Sequence, residues 1–319
     1  MTRTSPTRHI GLDLGGTNLK WVIVERSGED WTTVDRGQVP TDRGGPVTIV
    51  PQIGALAVQS IRAAGGATTV GVGVPGLYLP AEGTTVFLPN VPGEWEDVPV
   101  AGPVAAATGL PVTLINDARA FGLAELRLGA GRGARTMVGL TLGTGVGGVL
   151  CLDGRLFVGH LDTGGELGHT TIEPDGPLCN CGNRGCLEAF AKADEVARLC
   201  GAPTPEAAMT RAAAGDTAAI AGFAEIGRYL GIALSIYVTA LTPDRVVLGG
   251  GVSAAGELLL GPIRAEVRRR ARVTDLERIT FAIAELGTWA GAIGAAVHGA
   301  EQADAAAAGQ DHRGAGGIG

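Results

Sequence analysis

The sequence predicts an α/β protein of two lobes, and three observations carry that expectation. Short apolar runs ending in glycine or proline alternate with longer amphipathic stretches, the pattern of strands and helices around open sheets. A glycine-turn hairpin opens each half of the chain, at residues 10–24 and again at 136–150, which suggests lobes of related topology facing each other across a cleft. The chain is 319 residues long, 45% hydrophobic and 18% charged, so it is globular in bulk and can bury cores for two such lobes.

Taken in order, residues 1–8 read as a frayed tail. From His9, Ile10, Leu12 and Leu14 alternate, Gly15 and Gly16 turn, and Trp21 to Val24 return as an apolar strand. Asp13 sits just before the turn. Glycines let backbone N–H groups approach a polyphosphate, and an adjacent Asp can hold magnesium or its waters. By itself the turn also fits an ordinary hairpin, and the G-x4-G-K-[ST] pattern is absent. A helix over 46–64 follows an early proline and stops at Gly65-Gly66. Residues 69–74 (TVGVGV) form a buried strand ending at Pro75-Gly76, a turn able to expose backbone to a ligand. A turn-rich loop carries Trp95, then 103–108 fits a short helix. The strand 112–115 delivers Asn116 and Asp117 to its carboxyl end, where ligands bind open α/β sheets; an Asn-Asp pair is also a common turn.

The second half begins with a helix over 118–128. The 136–150 hairpin turns at Gly143-Thr144-Gly145. Residues 192–241 are helical and Ala-rich with a break near 201–205. The strand 245–248 runs into Gly249-Gly250-Gly251, another strand-to-loop step that suits a nucleotide. A helix over 256–271, a strand over 279–284 and a small-residue helix over 290–301 complete the pattern. The Ala/Gly-rich stretch 302–319 is expected to be disordered.

Between these elements lies GELGHTTIEPDGPLCNCGNRGCLE, residues 165–188. His169, Cys179, Cys181 and Cys186 are ligand types that close a tetrahedral zinc shell, which leaves no position for an activated water and makes the expected metal structural. Gly176, Gly182 and Gly185 would let the backbone fold tightly around the ion. Buried cysteines are often only small hydrophobes, but the C-x-C-x4-C spacing with a histidine ten residues upstream is poorly explained as core. A disulfide is disfavoured because Cys151 and Cys200 leave an odd total and no secretory signal opens the chain. Glu166 and Glu188 bracket the cluster, so the metal would fix two carboxylates beside an imidazole, as a polar binding site requires.

The net charge of −7 argues against a nucleic-acid surface. The basic run 264–272 reads as the solvated face of a helix. No apolar segment of membrane-spanning length is free of Gly, Pro or charge, so no membrane partner is expected and the location is expected to be cytoplasmic.

Together these residues resemble the ROK family of sugar kinases over about residues 9–300, and within it the zinc-containing bacterial glucokinases. DLGGTN (13–18) is similar to the family's first phosphate motif, LGTGVGG (142–148) to its second, and VVLGGGVS (246–253) to its adenosine-side motif. ELGH (166–169) and CNCGNRGCLE (179–188) resemble its sugar-and-zinc signature, the most specific of the matches. The resemblance implies a two-lobed, actin-like ATPase fold (ribonuclease H-like) with an interlobe cleft and a structural zinc site. It implies a small lobe over 9–118 joined by the helix 289–301, and a large lobe over 119–288.

It also implies ATP, Mg2+ and Zn2+ as cofactors and a small-molecule sugar as substrate. Asp117 would be the catalytic base, and Gly76, Asn116, Asp117, Glu166, His169 and Glu188 would contact the sugar. Asp13, Gly15, Gly16, Thr17, Asn18, Gly143, Thr144, Gly145, Gly249, Gly250 and Gly251 would hold the nucleotide. The implied reaction is phosphorylation of glucose at its 6-hydroxyl, with N-acetylmannosamine, N-acetylglucosamine, fructose or allose as rival substrates. A homodimer or homotetramer is implied as well.

A repressor of the same fold would need a helix-turn-helix ahead of the first strand, and only nine residues precede it here. A non-catalytic sugar-binding relative is disfavoured by Asp13, Asp117 and both glycine turns. The sequence departs from the family at Arg119, where the family commonly has Asn, and at Lys20 and Trp21, where small or apolar residues are usual.

Overall fold

The fold was described from a computed structural model, which describes residues 5–314. They form two compact units: 5–124 with 288–314, and 125–287.

In the first unit β1 (Thr7–Leu14), β2 (Asn18–Ser27) and β3 (Asp30–Pro40) form an antiparallel meander. After α1 (Pro46–Ala63), β4 (Thr69–Val74) pairs parallel to β1. A small antiparallel sheet follows, made of β5 (Leu77–Leu79), β6 (Thr84–Phe87) and β7 (Val98–Pro99). Then α2 (Ala101–Thr108) leads to β8 (Val112–Asn116), parallel to β4, and into α3 (Asp117–Leu128). The main sheet therefore runs β3-β2-β1-β4-β8.

Strand alternation sorts its two faces. Ile10, Leu12, Leu14, Val70, Val72 and Val74 are buried in one core with Ile49, Ile53 and Ala57 of α1. The opposite face carries Gly11 and Gly71 against the C-terminal helix α9 (Ala290–Gly314). A Cβ on Gly11 would lie 1.9 Å from the Ala292 carbonyl oxygen, and one on Gly71 1.8 Å from that of Ala295. These strands use glycine so that a small-residue helix can rest directly on the sheet.

In the second unit β9 (Met137–Leu142), β10 (Val146–Leu152) and β11 (Arg155–Phe157) form another antiparallel meander. The short helices α4 (Glu188–Ala191), α5 (Ala193–Leu199) and α6 (Pro205–Ala213) precede α7 (Thr217–Leu241) and β12 (Arg245–Gly249). Then come α8 (Glu257–Arg270) and β13 (Thr280–Ile283). β12 pairs parallel to β9 and β13 parallel to β12, giving the order β11-β10-β9-β12-β13. This is the connectivity of the first sheet repeated.

The 25-residue α7 is long and apolar enough to span a membrane, yet Phe223, Ile226, Leu230 and Leu234 are buried in this unit's core. Glycines again set a close helix contact. A Cβ on Gly227 would meet the Pro262 ring at 2.7 Å, and one on Gly231 the Glu266 side chain at 2.5 Å.

Three expectations are corrected. The helix α9 continues to Gly314 rather than giving way to disorder at Gln302, since its Ala-rich run is a strong helix former; residues 315–319 lie outside the described residues. Strand β1 already includes Thr7 and Arg8, with residues 1–4 outside the described residues. The unit boundary falls after Ala124 rather than at 118, because the first turns of α3 pack on α9: a Cβ on Gly294 would lie 1.7 Å from the Ala120 carbonyl oxygen.

Candidate active site

In the first unit, Asp13 is the penultimate residue of β1 and Asn116 ends β8, with β4 between them, so Asp13 and Asp117 stand at the same carboxyl edge of the sheet. The turn after Asp13 is fixed by Thr41, whose N–H donates to the Thr17 carbonyl (2.9 Å) and whose hydroxyl donates to the Gly15 carbonyl (2.6 Å). Gly16 lies against backbone: a Cβ there would be 1.9 Å from the Asn90 carbonyl oxygen. Burial pushes the Asp13 carboxyl above its ordinary value, and Lys20 pulls it back.

Asn116 does two structural jobs. Its Oδ1 accepts from the N–H groups of Ala118 (3.0 Å) and Arg119 (3.3 Å), capping α3, and its Nδ2 donates to the Gly76 carbonyl (3.2 Å). Asp117 Oδ1 accepts from the Ala118 N–H at 2.8 Å. Gly76 has φ +102, and a Cβ there would lie 2.3 Å from the Phe87 carbonyl oxygen. The structure thus brings Gly76, Asn116 and Asp117 together. Arg119, the departure from the family pattern, is buried at 4% exposure. Its charge adds to burial in holding His298 of α9 down to about 4.

In the second unit the turn Gly143–Gly145 follows β9, and Gly249–Gly251 follows the adjacent β12. The second lies against the end of β9 just before the first, since a Cβ on Gly250 would lie 2.3 Å from the Leu142 carbonyl oxygen. Glu188 reaches the first of these turns, its Oε2 accepting from the Val146 N–H at 3.0 Å. Gly145 leaves the room for it: a Cβ there would sit 2.4 Å from that oxygen. Glu166 precedes the one-turn helix Leu167–His169, held by Tyr237, whose hydroxyl donates to the Leu167 carbonyl at 2.7 Å.

The cysteine cluster passes a geometric test for a metal. Zinc bonds of about 2.3 Å to sulfur and about 2.1 Å to nitrogen put tetrahedral S···S and S···N pairs about 3.8 and about 3.6 Å apart. Cys181 and Cys186 Sγ are 3.7 Å apart, and Cys179 Sγ is 3.6 Å from His169 Nδ1. The four ligand atoms all lie within 4.8 Å of one another. A disulfide would need about 2.05 Å, and all five cysteines are free. Left-handed Gly182 and Gly185 shape the loop; a Cβ on Gly185 would be 1.6 Å from the Glu173 carbonyl oxygen. Burial pushes the Cys179 thiol up to about 12, so a metal there has a proton to displace. Cys179 Sγ also stands 3.6 Å from Glu188 Oε1, so one carboxylate touches both the cluster and the second glycine turn.

Sequence reasoning missed two residues of these surroundings. Glu125 is fully buried and accepts from the N–H groups of Ala130 (2.8 Å), Glu285 (3.1 Å) and Leu286 (2.9 Å), binding the two ends of the second unit together. Its partners lie up to 161 residues away, so no local pattern marks it. Lys20 was visible only as a departure, and its pairing with Asp13 needed the register of β1 and β2.

The ROK family model matches residues 9–301. The chain belongs to the ROK family. Among similar proteins, a glucokinase from Thermotoga maritima is 38% identical over 277 residues, which is 81% of this chain and 86% of the relative. The solved ROK hexokinase from Thermus thermophilus, 34% identical, superposes with a TM-score of 0.81 over 93% of this chain and 99% of its own. A ROK glucokinase from Streptomyces griseus, solved with glucose and AMPPNP, is 30% identical, with a TM-score of 0.76 over 92% of this chain and 99% of its own. The fold is that of the ROK sugar kinases, the two-lobed actin-like ATPase architecture.

Proposed function

We propose that this chain is an ATP-dependent glucokinase that transfers the terminal phosphoryl group of ATP to the 6-hydroxyl of glucose. The observation that carries the reading is the Asn116-Asp117 pair at the carboxyl edge of a sheet that also ends in Asp13 and a glycine turn. Asp117 takes the proton of the 6-hydroxyl as that oxygen bonds to the γ-phosphorus, and the bond from phosphorus to the β-bridging oxygen breaks to release ADP. Asn116 and the backbone at Gly76 hold the sugar beside Asp117, and Glu166, His169 and Glu188 supply further hydroxyl partners. The turns at 15–17 and 143–145 present backbone N–H groups to the phosphates, and Gly249–Gly251 lies on the adenosine side.

Asp13 would hold Mg2+, which when bound neutralises charge on the phosphates. His169, Cys179, Cys181 and Cys186 would hold Zn2+, whose closed shell orders the loop bearing His169 and Glu188 rather than activating water. Mostly, then, the residues position groups and exclude water, as phosphoryl transfer requires. The family resemblance further supports a cytoplasmic homodimer or homotetramer.

An ADP-release assay over a sugar panel tests the reading. We expect kcat/KM for glucose to exceed that for N-acetylmannosamine and fructose by at least about a hundredfold, the discrimination that well-placed hydroxyl contacts supply. A better N-acetyl sugar or fructose would replace glucokinase with another ROK kinase. Absence of any sugar-stimulated ATP use would overturn the kinase reading itself.

A further inference from the structure

Glu125 takes no part in the chemistry above, yet a carboxylate in its surroundings is costly to hold. The residue is fully buried at 0% exposure, where a charged group persists only if its oxygens are engaged. Three backbone N–H groups engage them: Ala130 (2.8 Å) and Glu285 (3.1 Å) on Oε2, and Leu286 (2.9 Å) on Oε1. Space is kept for the side chain as well, because a Cβ on Gly129 would lie 2.0 Å from Oε2.

The places of these partners in the chain give the arrangement its meaning. The chain passes between the two compact units twice, after Ala124 and after Gly287. Glu125 is the first residue beyond one crossing, and Glu285 and Leu286 immediately precede Gly287 at the other. One side chain therefore ties both crossings together on the second unit's side. The two crossings differ in kind. The first lies inside α3, whose end is closed by the N–H groups of Gly129 and Gly131 on the Glu125 carbonyl. The second runs through Gly287, which has φ +56 and nothing within 4 Å of where a Cβ would stand. A helix yields as a unit, whereas an open glycine turns freely. Without a tie the two would move independently.

We propose that Glu125 is the pin of a two-strand hinge: its carboxylate makes the two crossings move as one, so that the second unit turns as a single body. Asp117 opens the same helix about two turns ahead of Glu125, so the pin is fixed to the element that carries the proposed base. The inference rests on the kinase reading, in which sugar and nucleotide must meet in one geometry at Asp117. A hinge that moves as one body couples the two ligands, because whichever binds first favours the arrangement that the second requires. In this role Glu125 touches neither ligand and acts by position alone.

Calorimetric titration of glucose into the full chain, with and without MgAMPPNP, measures that coupling without turnover. The unaltered protein should bind glucose at least about fivefold more tightly when the nucleotide analogue is present. Glu125→Gln keeps the size of the side chain but offers a single acceptor oxygen, so it cannot hold the Oε1 and Oε2 partners at once. In this variant the coupling should fall to within about twofold of none, while glucose affinity without nucleotide changes by less than about threefold. A residue that only stabilises its unit would lower the melting temperature and leave the coupling factor unchanged. That result would overturn the proposal, as would the absence of coupling in unaltered protein that binds both ligands. If Glu125→Gln does not fold, Gly287→Ala carries the test, since its Cβ meets nothing and stiffens only the second crossing. Coupling should then drop by at least about threefold, and an unchanged value would again overturn the proposal. If the unaltered protein failed to bind glucose or MgAMPPNP, the kinase reading would fall with the hinge; if it bound both, only the role of Glu125 would be at stake.

Discussion

The two sheets share one connectivity, and each places a glycine turn after its central strand, yet the turns are completed differently. At 15–17 the carboxylate comes from the same strand, Asp13, two residues before the turn. At 143–145 it comes from Glu188, which lies 42 residues beyond Val146, bonds the Val146 N–H and touches Cys179. The first turn is rigid on all sides, with Thr41 on its carbonyls and Asn90 against Gly16. The second rests on a side chain that the cysteine loop must hold in place. In the function proposed above, one connectivity would support two kinds of site: a phosphate and chemistry site built into the sheet, and a recognition site that depends on a metal-ordered loop.

If that division is right, the largest single effect should come from the first unit. Asp117→Asn preserves shape and the bond from the Ala118 N–H, but the amide cannot accept the hydroxyl proton. We expect kcat to fall by about a thousandfold, within the range for a lost general base. Sugar affinity should stay within about tenfold, or about 1.4 kcal/mol. Near-normal turnover would remove Asp117 as the base. Cys181→Ser should do the converse, acting on the recognition side. We expect zinc to drop well below one per chain, sugar binding to be lost, and stability to fall by about 3 kcal/mol, as losing a structural metal commonly does. Metal analysis of the purified variant with full zinc occupancy would take Cys181 out of the ligand set.

The glycines sharpen the contrast. Gly16→Ala drives a Cβ to 1.9 Å from a backbone oxygen, whereas Gly145→Ala meets the end of a movable Glu188 side chain at 2.4 Å. We expect the first to cost about 3 kcal/mol and the second about 1 kcal/mol in denaturant unfolding. Gly145→Ala should also raise the sugar KM, because Glu188 has to leave Val146. Equal costs would mean that the second turn is as rigid as the first.

Much of this was legible in the sequence, and what was not has a common cause. The alternation of Ile10, Leu12 and Leu14, the 165–188 cluster and the repeated hairpin are local patterns, and local physics reads them. TVGVGV reads as a buried strand, but nothing near residue 71 reveals that its glycines receive a helix from residue 292 onward. The same holds for Glu125 and its partners at 285 and 286, and for Lys20 and Thr288. Strands β5 to β7 were hidden for another reason: they are two to four residues long in a Pro- and Gly-rich stretch whose composition signals turns. Arg119 stood out in sequence, but only the packing of α3 beside α9 shows that it is buried near His298.

The smallest expected effect concerns acid, and it separates the units by their buried titratable groups. The first unit buries His9 and His298, both held down to about 4 from an ordinary 6.5, chiefly by burial. The unfolded chain binds those protons at higher pH than the folded one, so the stability they represent is complete above about 6.5 and is lost as pH falls toward about 4. The second unit instead holds Glu266 down to about 2 from 4.5, chiefly through its hydrogen bond from Arg269, with Arg270 adding a second. Its contribution is complete above about 4.5 and disappears only as pH falls toward about 2. The first unit should therefore weaken first on acidification. The protein carries its own reporter for this, because all four tryptophans, Trp21, Trp31, Trp95 and Trp289, lie in the first unit. We expect tryptophan fluorescence to change at a higher pH than the far-ultraviolet circular dichroism, to which the helices of the second unit contribute strongly. His9→Gln, which can still bond Thr69, should shift the fluorescence midpoint downward and leave the later dichroism change in place. Coincident curves that moved together in His9→Gln would mean that the units unfold as one, and the contrast between them would then be one of chemistry alone.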